Sequence, residues 1–127
     1  MKIQPLFKKT QKPQPSFGYH SPLKDDYKKG LIPLEKGAYG GSLKKKVSLD
    51  HIIPKSKGGK SSLENYFLTN RSINTLRGNQ PLKNFLTLEP FLEYLSVMMD
   101  VKTKNIDGVD YCKKIIKTVL KALKEGL

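Results

Sequence analysis

The chain has 127 residues, enough for one compact domain but too few for two independent cores. Its 24 Lys and Arg against 11 Asp and Glu leave a net charge of +13, which attracts polyanions and makes nucleic acid the first partner to consider. Cys112 is the single cysteine, so an internal disulfide and the paired cysteines of a zinc knuckle are excluded, and no apolar run reaches the length of a membrane span.

The positive charge is unevenly spread. Residues 1–48 hold 11 Lys against 3 acids, residues 49–86 hold 6 bases against 2 acids, and residues 87–127 hold 7 Lys against 6 acids. Residues 1–42 are rich in Lys, Pro, Gly and Tyr and sustain no helical or alternating period, which predicts an extended basic arm with the domain following over 43–127. Pro5, Pro13, Pro15, Pro22 and Pro33 interrupt any long amphipathic helix, so membrane-surface binding is not expected. Phe7, Phe17, Tyr19, Tyr27 and Tyr39 are interleaved with lysines; such rings either stack on bases or, more commonly, pin an arm to its own core. His20 has no carboxylate, His or Cys at ligand spacing and is assigned no chemistry. Met1 to Thr10 lacks the continuous apolar stretch of a secretory signal, and a reducing, cytoplasmic setting is expected.

The middle of the chain reads as strand, loop, strand, helix over about 47–78. Val47 to Leu49 is β-compatible and leads into Asp50; Pro54, Gly58 and Gly59 then break the chain into a loop. Tyr66 to Leu68 forms a second strand, Thr69 or Asn70 caps a helix carrying Ile73, Asn74 and Leu76, and Gly78 stops it. Two further helices follow over about 87–101 and 107–125. The first has Thr87 as N-cap and an apolar stripe of Leu88, Phe91, Leu92, Leu95 and Met98 or Met99. The second opens at Asp107 with Asp110 three residues on, and carries Val109, Cys112, Ile116, Val119, Leu120 and Leu123. Both stripes are read as core. The fold class is α+β.

Within residues 50–79 the side-chain types suit phosphodiester hydrolysis, which needs a base for water, a cation against the phosphorus oxygens and stabilisation of the leaving oxygen. His51 suits the base, because an unperturbed pKa of about 6.5 leaves a large neutral fraction at neutral pH. Asp50 suits a hard cation, and the amide oxygen of Asn74 can complete the ligand pair from the helix. Adjacent residues on a regular strand face opposite ways, so Asp50 and His51 share one site only if the chain turns there or if metal and water lie on different sides of the phosphate.

The run DHIIPKSKGG, followed by Glu64-Asn65, Asn74 and Arg77-Gly78-Asn79, resembles the HNH endonucleases of the ββα-metal superfamily over about residues 47–84. His51 and Asn65 are 14 residues apart, and Asn65 and Asn74 are 9 apart. The resemblance implies a ββα-metal core with His51 as general base, Asp50 and Asn74 as metal ligands, and Asn65 bracing the loop. It also sets Arg77 beside the phosphate. Lys55, Lys57 and Lys60 in the loop and Lys44, Lys45 and Lys46 before the first strand are the expected nucleic-acid contacts. The implied cofactor is a divalent ion, Mg²⁺ or Mn²⁺, and the implied substrate is DNA, double-stranded first, cut by an endonuclease or nickase in a bacterial or phage-infected cell. Two departures stand out: the last letter of the motif is Asn74 where the family name has His, and the cysteines that bind structural zinc in many members are missing, so the C-terminal helices and the arm must brace the core. A non-catalytic nucleic-acid-binding protein on the same scaffold, as in a phage or mobile-element assembly, is the alternative. A small ribosomal-type RNA-binding protein fits the composition but leaves the motif unexplained.

Overall fold

A computed structural model describes residues 21–44 and 46–127. Helix α1 (Pro22–Lys28) begins at Ser21, whose hydroxyl accepts the Leu23 N–H, with proline in the first turn where its missing donor costs nothing. Strands β1 (Lys36–Gly37) and β2 (Gly40–Ser42) form a tight antiparallel hairpin. Strands β3 (Val47–His51) and β4 (Tyr66–Asn70) pair antiparallel in a second sheet, with Val47 opposite Asn70 and His51 opposite Tyr66. Helices α2 (Arg71–Arg77), α3 (Leu88–Met99) and α4 (Gly108–Glu125) complete the chain. This is the expected α+β order, with strand, loop, strand and helix in the middle.

The described part of the expected arm belongs to the core. Leu23, Ile32, Leu34, Ala38, Tyr39 and Leu43 are all buried, and Asp26 of α1 accepts the Thr103 hydroxyl at 2.6 Å from the α3–α4 connection. The hairpin lies across β4: Ala38 N donates to Leu68 O, and a Cβ on Gly37 would sit 2.7 Å from the Thr69 Cα, so glycine is required by that approach. No structural boundary therefore falls at residue 42. Phe7, Phe17, Tyr19, His20 and Lys45 lie outside the described residues.

Local signals set the ends of α2. Asn70 is the N-cap, its side chain accepting the N–H groups of Ser72 and Ile73, and Gly78 ends the helix with a positive φ of 51°. The C-terminal helices dock on β4 through two buried phenols. Tyr111 donates to Tyr66 O at 2.6 Å, Tyr94 therefore donates to the Tyr111 oxygen at 2.7 Å, and the Leu68 N–H donates to Tyr94. On the edge of β4 away from β3, these two phenols therefore serve Tyr66 O and Leu68 N, while the hairpin's Ala38 N serves Leu68 O.

The faces of these two helices differ from expectation. Phe91, Tyr94, Leu95 and Met98 on α3, and Tyr111, Cys112, Ile115, Val119 and Ala122 on α4, are buried. Leu88, Leu92, Met99, Val109, Ile116, Leu120 and Leu123 are exposed. Each helix has an apolar arc wider than the surface it covers, so an apolar line is left on one flank. Thr87 holds the N-cap position of α3 without a side-chain bond, whereas Asp107 caps α4 by accepting the Asp110 N–H. No described helix is long and apolar enough to cross a membrane.

Candidate active site

The chain leaves β3 at a bend over Ile52 and Ile53, directly after Asp50 and His51. Asp50, His51 and Asn74 all line one open cleft of about 280 Å³, together with Leu49, Pro54, Lys55, Ser56, Gly78 and Asn79. Two of these residues end a strand and the third sits on the helix packed against it.

Asp50 is buried and is held by one oxygen. Its Oδ2 accepts a short hydrogen bond from the Tyr39 hydroxyl and pairs with Arg77 Nη1 at 2.7 Å. The other carboxylate oxygen, Oδ1, accepts no hydrogen bond from the described residues. Burial pushes the Asp50 carboxyl above the ordinary carboxylate range, and the Arg77 guanidinium and the Tyr39 hydroxyl pull the other way. Burial beside the same carboxylate raises the Tyr39 hydroxyl far out of its ordinary range, so it stays a donor.

His51 is half-buried. Its Nε2 lies 3.0 Å from Ser61 Oγ, and its ring meets Tyr66 edge-on, with centroids 5.0 Å apart. Burial lowers its pKa, Lys55 adds to that, and Asp50 opposes it; the ring is mostly neutral at neutral pH. With Nε2 at the serine, Nδ1 is the nitrogen left for other work.

Asn65 is buried and ties the loop to its start. Its Oδ1 accepts the Ile53 N–H at 2.9 Å, and its Nδ2 donates to Ile53 O at 3.0 Å and Lys60 O at 2.8 Å. The turn that follows His51 therefore closes around this one amide. Asn74 uses its nitrogen in the same way, donating to Ser48 Oγ at 2.9 Å and Leu49 O at 3.0 Å. That leaves Asn74 Oδ1 without a hydrogen bond from the described residues.

Arg77 is a correction. The expected phosphate contact is 1% exposed, and its guanidinium serves Asp50, Tyr39 and the carbonyls of His51, Ile52 and Gln80. It fastens the end of α2 to the end of β3 and has no surface to offer a phosphate. The lysines divide as well. Lys55 lines the cleft and Lys57 closes the same short turn, whereas Lys60 lines a separate pocket with Thr118 and Lys121. Lys44 and Lys46 are exposed beyond the opposite end of β3, about 13 Å of strand away from Asp50, which takes them out of the cleft. Two site residues escaped the sequence reading. Tyr39 stood among arm aromatics with nothing in its spacing to tie it to Asp50, and Ser61 is one of several loop serines.

Among the described residues no three His, Cys, Asp or Glu side chains cluster to hold a metal. Asp50 and Asn74 both line the cleft, and each keeps one oxygen, Oδ1, unbonded among the described residues, a donor type that fits a hard divalent ion. One carboxylate and one amide suit Mg²⁺ or Mn²⁺ better than a softer ion.

Compared with known proteins, the chain has no significant match among curated proteins or solved structures. Residues 41–81 match the HNH endonuclease family, a segment that contains Asp50, His51, Asn65, Asn74 and Arg77 but stops short of Tyr39, α3 and α4. The strand, loop, strand and helix built around those residues are thus the part of the chain that is similar to the HNH endonucleases.

Proposed function

We propose that the protein is a metal-dependent endonuclease or nickase that hydrolyses DNA phosphodiester bonds in the cleft between β3 and α2. The observation that carries this reading is the convergence of Asp50, His51 and Asn74 on one open cleft, with an unbonded oxygen on each of the two ligand side chains. His51, neutral at working pH, takes the proton of the attacking water, and the Ser61 hydroxyl fixes the ring by its contact to Nε2. Asn65 keeps the turn after His51 closed, and Lys55 meets the substrate phosphate at the cleft mouth. A divalent ion, Mg²⁺ or Mn²⁺, held by Asp50 and Asn74 would offset the negative charge on the phosphate oxygens. Arg77 and Tyr39 act one step back, presenting Asp50 by its Oδ2.

The test is cleavage of supercoiled, linear and single-stranded DNA and of RNA in Mg²⁺ or Mn²⁺, with His51→Ala as control. The expected result is nicking of supercoiled plasmid that His51→Ala abolishes while folding and binding persist. Cleavage retained in His51→Ala removes that residue from the mechanism. An intact plasmid with binding preserved would instead favour a binding scaffold in a phage or mobile-element assembly, a role for which a buried Asp50–Arg77 pair is equally serviceable.

A further inference from the structure

The apolar lines left exposed on α3 and α4 form one continuous face. Leu88, Leu92 and Met99 recur at i, i+4 and i+11, and Val109, Ile116, Leu120 and Leu123 at i, i+7, i+11 and i+14, so each set runs straight along its helix. Leu88 is 73% exposed and Leu120 61%. Leu95 borders the first line and Cys112 the second, and Cys112 Sγ meets the Leu95 carbonyl at 3.8 Å across the seam between the helices. The two lines therefore flank the outside of that seam. Together they present on the order of 600 Å² of apolar surface, at the upper end of what a monomer carries. Of the large hydrophobics exposed among the described residues, only Leu31 and Leu76 lie elsewhere.

Charge identifies the occupant. Further round α3 from the apolar line stand the exposed acids Glu89 and Asp100; further round α4 stand the exposed Lys113, Lys117 and Lys124. The face thus has an acidic rim along one helix and a basic rim along the other. A two-fold axis parallel to the helices lays α3 of one copy on α4 of the other and sets each acidic rim on a basic one, whereas α3 on α3 would oppose like charges. Residues 87–127 carry 7 Lys against 6 acids, so the helical pair is near-neutral in a strongly basic chain and is poorly suited to a polyanion. We propose that a second copy of this chain covers the face, forming an isologous dimer of two helices on two helices. With its rims, the face approaches the roughly 800 Å² per partner of a standard interface. None of these residues lines the Asp50–His51 cleft.

Sedimentation velocity of the full chain at physiological salt, from low to several hundred micromolar, tests this. The expected mass moves from 14.4 kDa toward twice that value as concentration rises. The double variant Leu92→Glu with Leu120→Glu stays monomeric throughout, with circular dichroism held and an unfolding midpoint equal to that of the dilute wild-type monomer, because both side chains are exposed. Lys117→Glu weakens the dimer roughly tenfold, and adding Glu89→Lys in the same chain restores it. A wild-type chain that is monomeric at every concentration overturns the proposal and leaves the face to another occupant. So does a dimer that survives the double glutamate variant. Failure of Glu89→Lys to restore association overturns the two-fold pairing.

Discussion

Replacing Arg77 with methionine separates a buried fastener from a phosphate contact. The substitution keeps much of the side-chain volume but removes the ion pair to Asp50 at 2.7 Å and the donors to Tyr39 and to the carbonyls of His51, Ile52 and Gln80. Asp50 stays buried with only the Tyr39 hydroxyl for company. Removing one partner of a buried pair costs about 3–5 kcal/mol, a large part of the roughly 5–15 kcal/mol that holds a domain together. For a domain of this size that lowers Tm by roughly 12–20 °C. Urea denaturation at pH 7 measures the loss, and DNA affinity against salt concentration, taken at low temperature where the variant is folded, measures the contact. The salt slope should be unchanged, since a side chain that meets no phosphate releases no counterion. The effects of Asp50→Leu and Arg77→Met should also be strongly non-additive, the double variant regaining part of the lost stability. A loss below about 1 kcal/mol together with a salt slope reduced by about one would refute the buried role and return Arg77 to the phosphate.

Asn65→Ala strands the Ile53 N–H and two carbonyls and should cost about 3 kcal/mol by chemical denaturation; Asn65→Asp should not rescue it, because a carboxylate would face the carbonyls of Ile53 and Lys60. Gly59→Ala places a Cβ 1.7 Å from Ile53 O and should unseat the loop, lowering Tm and cleavage together, whereas Gly58→Ala next to it meets open space and pays only for a positive φ of 91°, about 1–2 kcal/mol. Equal melting of the two variants would contradict the close approach. The Cys112 thiol, pushed up to about 11 by burial, should resist a thiol-specific disulfide reagent at pH 8 until the protein unfolds; rapid labelling of the native chain would show that α3 does not cover it.

The parts of the fold that could be read from the sequence are those that local chemistry determines. Asn70 caps α2 and Gly78 ends it through bonds and angles spanning a few residues, so their identities announce the helix. Pro54 and the two glycines after it mark the loop for the same reason. Adjacent Asp50 and His51 with two spaced asparagines draw attention to the candidate cleft, which Asp50, His51 and Asn74 line. Tyr39 was hidden because its bond to Asp50 crosses 11 positions and a sheet boundary that no periodicity encodes. Arg77 misled for a related reason: a basic residue in the last turn of a helix looks like a surface contact until five acceptors are brought around it. The exposed lines on α3 and α4 have helical spacing identical to that of a core face, and only the packed structure shows which flank is covered.

The Tyr39–Asp50–Arg77 cluster also bears on how the proposed site would take up its ion. Arg77 stabilises the ionised form of Asp50 against burial, yet its charge beside the carboxylate offsets the attraction Asp50 exerts on a cation. A neutral amide on Asn74 adds a ligand but no charge. On the proposed reading the cleft without substrate would therefore hold a divalent ion weakly, and a substrate phosphate would supply further ligands and further negative charge. Ion and DNA then bind with positive coupling, each raising the affinity for the other by the same factor.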